Sequence, residues 1–430
     1  MSRTIHRMPH YKTRVVDGEL DALLPHLPAL SLEGPKGVGK TATASERGRT
    51  FRRLDDPAEL EVIKAQPSRL IEGPPPIVID EWQRYPASWD VVRRAVDADG
   101  SAGRFLLTGS ATPTEKPTHS GAGRIVPVRM RPLTLMERGV EDPSVSLTRL
   151  LTGERPDLGG STALALEDYT REIVVGGFPG MRHPDGRAQR AALDGYLARI
   201  VDTDLPELGI DVRNPATMWR WVRAFAAATA TNTSFDKIRN ATTGGEDDKP
   251  AKTTTMGYRE ALERLWILDD LQAWAPTRNH LQRLVAAPKH HLADPALAVR
   301  LLGLEAGALL SGQGPTSIPR DGTFLGSLFE SLAAQGARVY AQAAEATVAH
   351  LRTMGGEREV DLIVVRGDGR VVALEVKLSA TIEARDVRHL RWLHGQLGDD
   401  LLDAIVLTTG PSAYRRADGI GVVPLGLLGP

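Results

Sequence analysis

Residues 29–41 read Ala29-Leu30-Ser31-Leu32-Glu33-Gly34-Pro35-Lys36-Gly37-Val38-Gly39-Lys40-Thr41, and the fold turns on how they are parsed. The first five form a short apolar run, as a buried strand would. From Gly34 to Thr41 the chain fits G-x-x-x-x-G-K-[ST] at every position, and TATASERG beyond it suits a helix. Strand, glycine-rich turn and helix make the setting in which that pattern cradles phosphate. Glycines let consecutive backbone N–H groups curl round an anion, and the helix start adds the positive end of its dipole. Gly34, Pro35, Lys36, Gly37, Val38, Gly39, Lys40 and Thr41 are therefore expected to hold a triphosphate, Lys40 on its β- and γ-phosphates and Thr41 on magnesium. A glycine-rich turn that merely ends in Lys-Thr is the competing reading, and the flanking strand speaks against it.

Outward from this loop, strands and helices alternate. Strands are expected at 49–55, 77–80 and 105–108, and helices at 57–66 and 87–98. Such alternation argues a parallel sheet covered on both faces. The strand Ile77-Val78-Ile79 ends in Asp80-Glu81, so Asp80 is a candidate for the metal's shell and Glu81 for orienting or deprotonating a water. Ligands of parallel sheets sit at strand C-termini, which makes Thr108 and Ser110 candidates for the γ-phosphate or that water; a turn needing small residues explains them equally. Turn formers cluster at 112–124 and predict a projecting loop ending at Arg124.

The middle of the chain is predicted to be helical, with helices at 167–174, 187–203, 216–230, 234–241 and 253–265. The last three, followed by ILDDLQAW, have the order of a winged helix interrupted by the acidic stretch 244–250. Tryptophans 219, 221, 266 and 274 lie there and read first as core, and as base-stacking groups only second. A Gly/Pro-rich break at 311–322 predicts a domain boundary. The organisation expected is thus 1–140, 141–212, 213–310 and 311–430.

In the last segment, Glu359–Val365 and Val371–Lys377 read as a hairpin about Asp368. That register sets Asp361 opposite Glu375, and the two-residue period puts Lys377 on the same face as Glu375. Two facing carboxylates repel unless a divalent cation lies between them, and a lysine beside them can act on a water against a phosphodiester. A solvated hairpin face would carry the same residues. The Asp…Glu-x-Lys arrangement resembles the PD-(D/E)xK nucleases, with Val360 where their proline stands. The resemblance implies a restriction-endonuclease-like α/β fold, a further acid from an early helix (Glu330), and a second Mg2+ or Mn2+ held by Glu330, Asp361 and Glu375, with Glu375 and Lys377 catalytic.

Composition narrows the rest. Fifty-three basic against 54 acidic residues leave a net charge of −1, so any polyanion such as DNA must be gripped locally. With no cysteine, disulfides, zinc thiolates and a cysteine nucleophile are excluded. Neither a secretory signal nor an apolar run of membrane-spanning length is visible, so a cytoplasmic protein without a membrane partner is expected. Only ten of the basic residues are lysine, which singles out Lys40 and Lys377. His290-His291 lack partners at metal-ligand spacing and read as a polar segment near a domain junction.

Taken together, GPKGVGKT, IVIDEWQ, FLLTGSA, Gly123-Arg124 with Met130–Glu137, Gly176–Pro179 and Pro288–Asp294 resemble the AAA-type bacterial and archaeal ATPases fused to a C-terminal domain of unknown function. The resemblance implies ATP and Mg2+, and an arginine acting on the nucleotide, for which Arg124 is the candidate in cis or in trans. The fold expected is α/β: a P-loop NTPase (AAA+-like) parallel sheet, a helical and winged-helix middle, and a nuclease-like domain. An ATPase engaging DNA is the leading expectation, and a nucleotide-dependent sensor or scaffold for a protein partner, with an inert nuclease-like domain, is the alternative. Oligomerisation is compatible with either.

Overall fold

The computed structural model describes residues 11–111, 121–183, 185–209, 214–242, 250–275, 287–311 and 323–430. Most of the loop expected at 112–124, of the acidic stretch 244–250 and of the break at 311–322 lies outside them.

Five parallel strands form the first sheet: β1 (Ala29–Glu33), β2 (Thr50–Arg53), β3 (Ile77–Asp80), β4 (Phe105–Gly109) and β5 (Ile125–Arg129), in the order β2-β3-β4-β1-β5. Because β4 is inserted between β1 and β3, its C-terminal residues fall between the phosphate-binding pattern and Asp80. Successive side chains point to opposite faces, so Leu30, Leu32 and Leu106 enter one core while Ala29, Phe105 and Leu107 enter another. Helices Pro57–Ala65 and Ala87–Ala98 belong to the second face. β5 escaped the sequence reading because Pro127 interrupts it. As an edge strand it can do without that N–H.

The second sheet comprises β7 (Ala273–Trp274), β8 (Thr347–Arg352), β9 (Glu359–Val365), β10 (Val371–Lys377), β11 (Leu401–Thr408), β12 (Tyr414–Arg415) and β13 (Gly421–Pro424), in the order β12-β13-β11-β10-β9-β8-β7. A separate pair joins β6 (Val145–Ser146) to β14 (Leu428–Gly429). Pairing of β9 with β10 runs from Val365↔Val371 to Leu362↔Leu374, the register expected about Asp368. β8 was not foreseen, and the early helix expected to carry Glu330 spans Thr323–Ala343.

One apolar cluster runs from Val16 beside the first sheet to Leu428 beside the second, through Phe178, Trp221, Phe225, Phe329 and Leu374. The middle segment is thus packed between the two sheets. Its helices Pro215–Ala227, Phe235–Asn240 and Lys252–Arg264 match expectation within three residues at either end. The β-like tail reduces to bridges Leu268↔Leu292 and Leu271↔Lys289 and to β7, which pairs with β8 of the C-terminal sheet. Among the described residues, no helix is long and apolar enough to cross a membrane.

Candidate functional site

The turn after β1 is built tightly. A Cβ on Gly34 would lie 2.1 Å from the carbonyl oxygen of Met130, so this residue cannot carry a side chain. Gly39 has φ +101°, a left-handed conformation costly for any other residue, and delivers the chain into the helix Lys40–Ser45. Lys40 is 5% exposed. Its ammonium donates to the carbonyls of Gly34 (2.8 Å) and Pro35 (2.9 Å) and forms no ion pair with the described residues. Burial lowers its pKa to about 8 against the opposing pull of Glu81. A buried ammonium held only by carbonyls has no carboxylate in contact with it.

Around it the predicted polar groups converge. The Thr41 hydroxyl donates to Oδ1 of Asp80 (2.9 Å), and the Thr108 hydroxyl donates to the same oxygen. Glu81 takes a left-handed conformation (φ +52°, ψ +46°), unusual for a side-chain-bearing residue and the kind of strain that gathers at functional sites. Its Oε2 accepts from the Ser110 hydroxyl (2.9 Å) and from the Gln83 amide. Thr108 and Ser110 are therefore partners of the two carboxylates. Gln83 was not singled out, although the motif IVIDEWQ contains it.

Lys36 points away from the loop and pairs with Asp204 at 2.5 Å, with Glu207 at 4.0 Å. Glu207 also meets Arg84 at 3.3 Å, so residues 204–207 form an acidic strap beside the loop. One cavity on this side, about 510 Å³, is lined by Lys36, Gln83, Arg84, Ser110, Asp204 and Glu207 among others. Another, of about 480 Å³, borders Val38, Gly39 and Ala42 and is closed by Tyr11, Leu133 and Pro179.

Arg124 corrects the expectation. It precedes the N-terminal end of β5, whereas the loop leaves the C-terminal end of the parallel neighbour β1. It pairs instead with Asp97 at 2.8 Å and its side chain is 48% exposed. A strand length separates it from the loop, so it cannot touch a nucleotide held by its own chain. Arg129, at the right end of β5, was missed. It lies 3.7 Å from the ring centre of Trp266, burial lowers its pKa to about 9, and one terminal nitrogen is buried without a hydrogen-bond partner.

The C-terminal cluster assembles around a residue that the sequence reading passed over. Lys289, 1% exposed, places its ammonium 2.7 Å from Glu330, 2.9 Å from Glu359 and 3.3 Å from Asp361. Burial opposes its charge, yet the three carboxylates hold its pKa well above the usual lysine value. The other oxygen of Asp361 accepts the Val376 N–H at 2.9 Å, just beyond the last β9–β10 pair. Glu375 gives one oxygen to Lys377 at 2.6 Å, and its other oxygen is buried without a partner. Burial, with Asp361 beside them, pushes Glu330 and Glu375 up to about 8.

Asp361, Glu375 and Lys377 thus meet as expected, with Glu330 nearby. The expected shared metal does not fit. Both oxygens of Asp361 are committed, the ammonium of Lys289 stands among the acids, and no metal-holding group of His, Cys, Asp and Glu exists among the described residues. His290 and His291 are structural. The first bonds the Thr233 carbonyl (2.7 Å) and the second the Ser331 hydroxyl (3.1 Å), and burial holds His291 far below the usual histidine pKa.

Comparison with known proteins agrees with the N-terminal geometry. Residues 27–138 match the AAA domain family, 166–308 a domain of unknown function (DUF8612), and 325–428 another domain of unknown function (DUF4143). The N-terminal part is thus an AAA-type P-loop domain. Two curated relatives, the uncharacterized proteins Mb2031c of Mycobacterium bovis and Rv2008c of Mycobacterium tuberculosis, are each 28% identical over 288 residues, 66% of this chain. The match spans 58% of their own length. Among solved structures, the Walker-type ATPase PABY2304 of Pyrococcus abyssi is 18% identical with TM-score 0.39, covering 70% of this chain and 98% of its own. The RuvB Holliday junction branch migration motor of Thermotoga maritima is 17% identical with TM-score 0.25, covering 59% of this chain and 88% of its own. At such scores neither likeness bears on function.

Proposed function

We propose that the chain binds and hydrolyses Mg-ATP at the Gly34–Thr41 loop and uses the nucleotide state to control what its middle and C-terminal parts engage. The observation that carries this is the desolvated Lys40, touched by two carbonyls and no carboxylate, beside the Thr41–Asp80 pair. In this reading the backbone amides of Lys36 to Thr41 receive the phosphates, and Lys40 leaves its two carbonyls for the β- and γ-oxygens. The Thr41 hydroxyl and Asp80 would hold magnesium, which would supply neutralising charge to those oxygens. Glu81, aimed by Ser110 and Gln83, orients the attacking water and takes its proton. The cavity closed by Tyr11, Leu133 and Pro179 suits the base and ribose. Closure round the γ-phosphate sets the Lys36–Asp204 strap under strain, and so reaches the middle segment.

Calorimetry with ATP and ADP tests the reading. Lys40→Ala should weaken binding by roughly 10- to 100-fold, the loss of charge-assisted hydrogen bonds. Glu81→Gln should keep binding and lose about 10²-fold or more in turnover. Unchanged affinity in Lys40→Ala refutes the assignment.

For the C-terminal part, the order helix Thr323–Ala343, β8, β9, β10, helix Arg388–Leu397, β11 supports a nuclease-like fold. Lys289 among the acids favours the reading in which that fold does not cleave. Plasmid cleavage in Mg2+ or Mn2+ that is lost in Glu375→Ala would overturn it. DNA engagement rests on the three middle helices and the bridges after them, and predicts duplex binding that weakens with salt. Nucleotide-dependent behaviour without such binding would favour a protein partner.

A further inference from the structure

The acids that would grip a divalent ion in a nuclease-like sheet are not short of a cation. Lys289 enters from the segment after the middle helices, where its backbone N–H and carbonyl both bond Leu271 (2.9 and 2.8 Å). Its side chain then spans to Glu330 on the helix Thr323–Ala343 and to Glu359 and Asp361 on β9. Three elements far apart in sequence meet on one ammonium. Each of the three donor protons of a lysine has a carboxylate oxygen to go to, which is the full capacity of the group.

We propose that Lys289 is the resident cation of the C-terminal site, standing where a divalent metal would bridge Glu330 and Asp361 and sealing that site against Mg2+ and Mn2+. The inference deepens the non-cleaving reading of this domain and is independent of the ATP site. It has a structural corollary: the ammonium is one tie between the middle segment and the C-terminal sheet, beside the β7–β8 pairing, so its loss removes charge and a cross-link together. A metal could enter only when the tie is released.

The test uses the full chain without nucleotide and Mn2+ alone as probe, with the free-ion electron paramagnetic resonance signal as readout. Wild type should leave the Mn2+ signal unchanged at millimolar metal. Lys289→Gln should remove about one equivalent of free Mn2+, and Lys289→Gln/Asp361→Asn should not. Should Lys289→Gln fail to fold, Lys289→Gln/Glu330→Gln keeps the balance of charge and leaves Glu359, Asp361 and Glu375 as ligands. Should neither fold, wild type against Asp361→Asn decides: no uptake by wild type supports the assignment. Uptake by wild type that Asp361→Asn abolishes overturns the proposal, as does a folded Lys289→Gln or Lys289→Gln/Glu330→Gln chain that takes up no more metal than wild type. ATP calorimetry on the same samples separates this outcome from failure of the ATP site, since a chain that binds no nucleotide can still show this metal pattern.

Discussion

Lys40 and Lys289 are both buried ammonium groups, and the chain treats them in opposite ways. Lys40 has two carbonyls and no carboxylate, and burial lowers its pKa to about 8. Lys289 has three carboxylates, which raise its pKa despite equal burial. The difference teaches how to tell a binding site from a joint. A charge left short of partners is a place kept for a ligand, whereas a charge fully answered by the chain is part of the frame.

The sharpest way to break this contrast is to remove each charge and measure stability. Lys289→Met leaves three acids facing one another and should cost about 3–5 kcal/mol, read by denaturant titration. Lys40→Met removes a penalised charge and should leave the nucleotide-free chain no less stable. Equal losses would show that the two sites do not differ in kind.

A smaller effect comes from pH. In the nucleotide-free chain Lys40 gives up its proton above about pH 8, while the unfolded chain keeps it to the ordinary lysine value, so this group's contribution to stability rises with pH through that window. Phosphate restores the proton. ATP affinity should therefore fall by up to about tenfold per pH unit above 8, and binding there should take up a proton, detected by calorimetry in buffers of different ionisation heat. A flat profile between pH 7 and about 9.5 would place Lys40 at its ordinary value and erase the contrast.

The smallest effect concerns the strap. Lys36 is about one-third exposed, so its pair with Asp204 is screened. Asp204→Asn should change stability by less than about 1 kcal/mol. Its ATP affinity should rise slightly if the strap is strained by closure; a fall would mean that the strap helps to hold the nucleotide.

What the sequence could show follows the range of the interactions. The Gly34–Thr41 loop, Asp80, Glu81 and the Asp361–Glu375 register are set by neighbours along one strand or across one hairpin, so alternation and spacing reveal them. Lys289 depends on Glu330 and Asp361, 41 and 72 residues away, and no local pattern marks such a partner. Its neighbours His290 and His291 drew the metal question to the wrong side chains. Arg124 was read as near the nucleotide from its place in the chain, but strand direction puts it at the far edge. Arg129, five residues later, lies level with the end of β1 from which the loop leaves, and was hidden by the proline that disguised β5.

One pairing alters what counts as a part of this molecule. β7 belongs by order to the segment before residue 312, yet it forms the margin of the C-terminal sheet. A backbone nicked between Ser311 and Thr323 should consequently yield two pieces that travel together through a sizing column. Anyone truncating the gene at that point would strip a marginal strand from the sheet, so separable fragments have to be sought by seam rather than by linker.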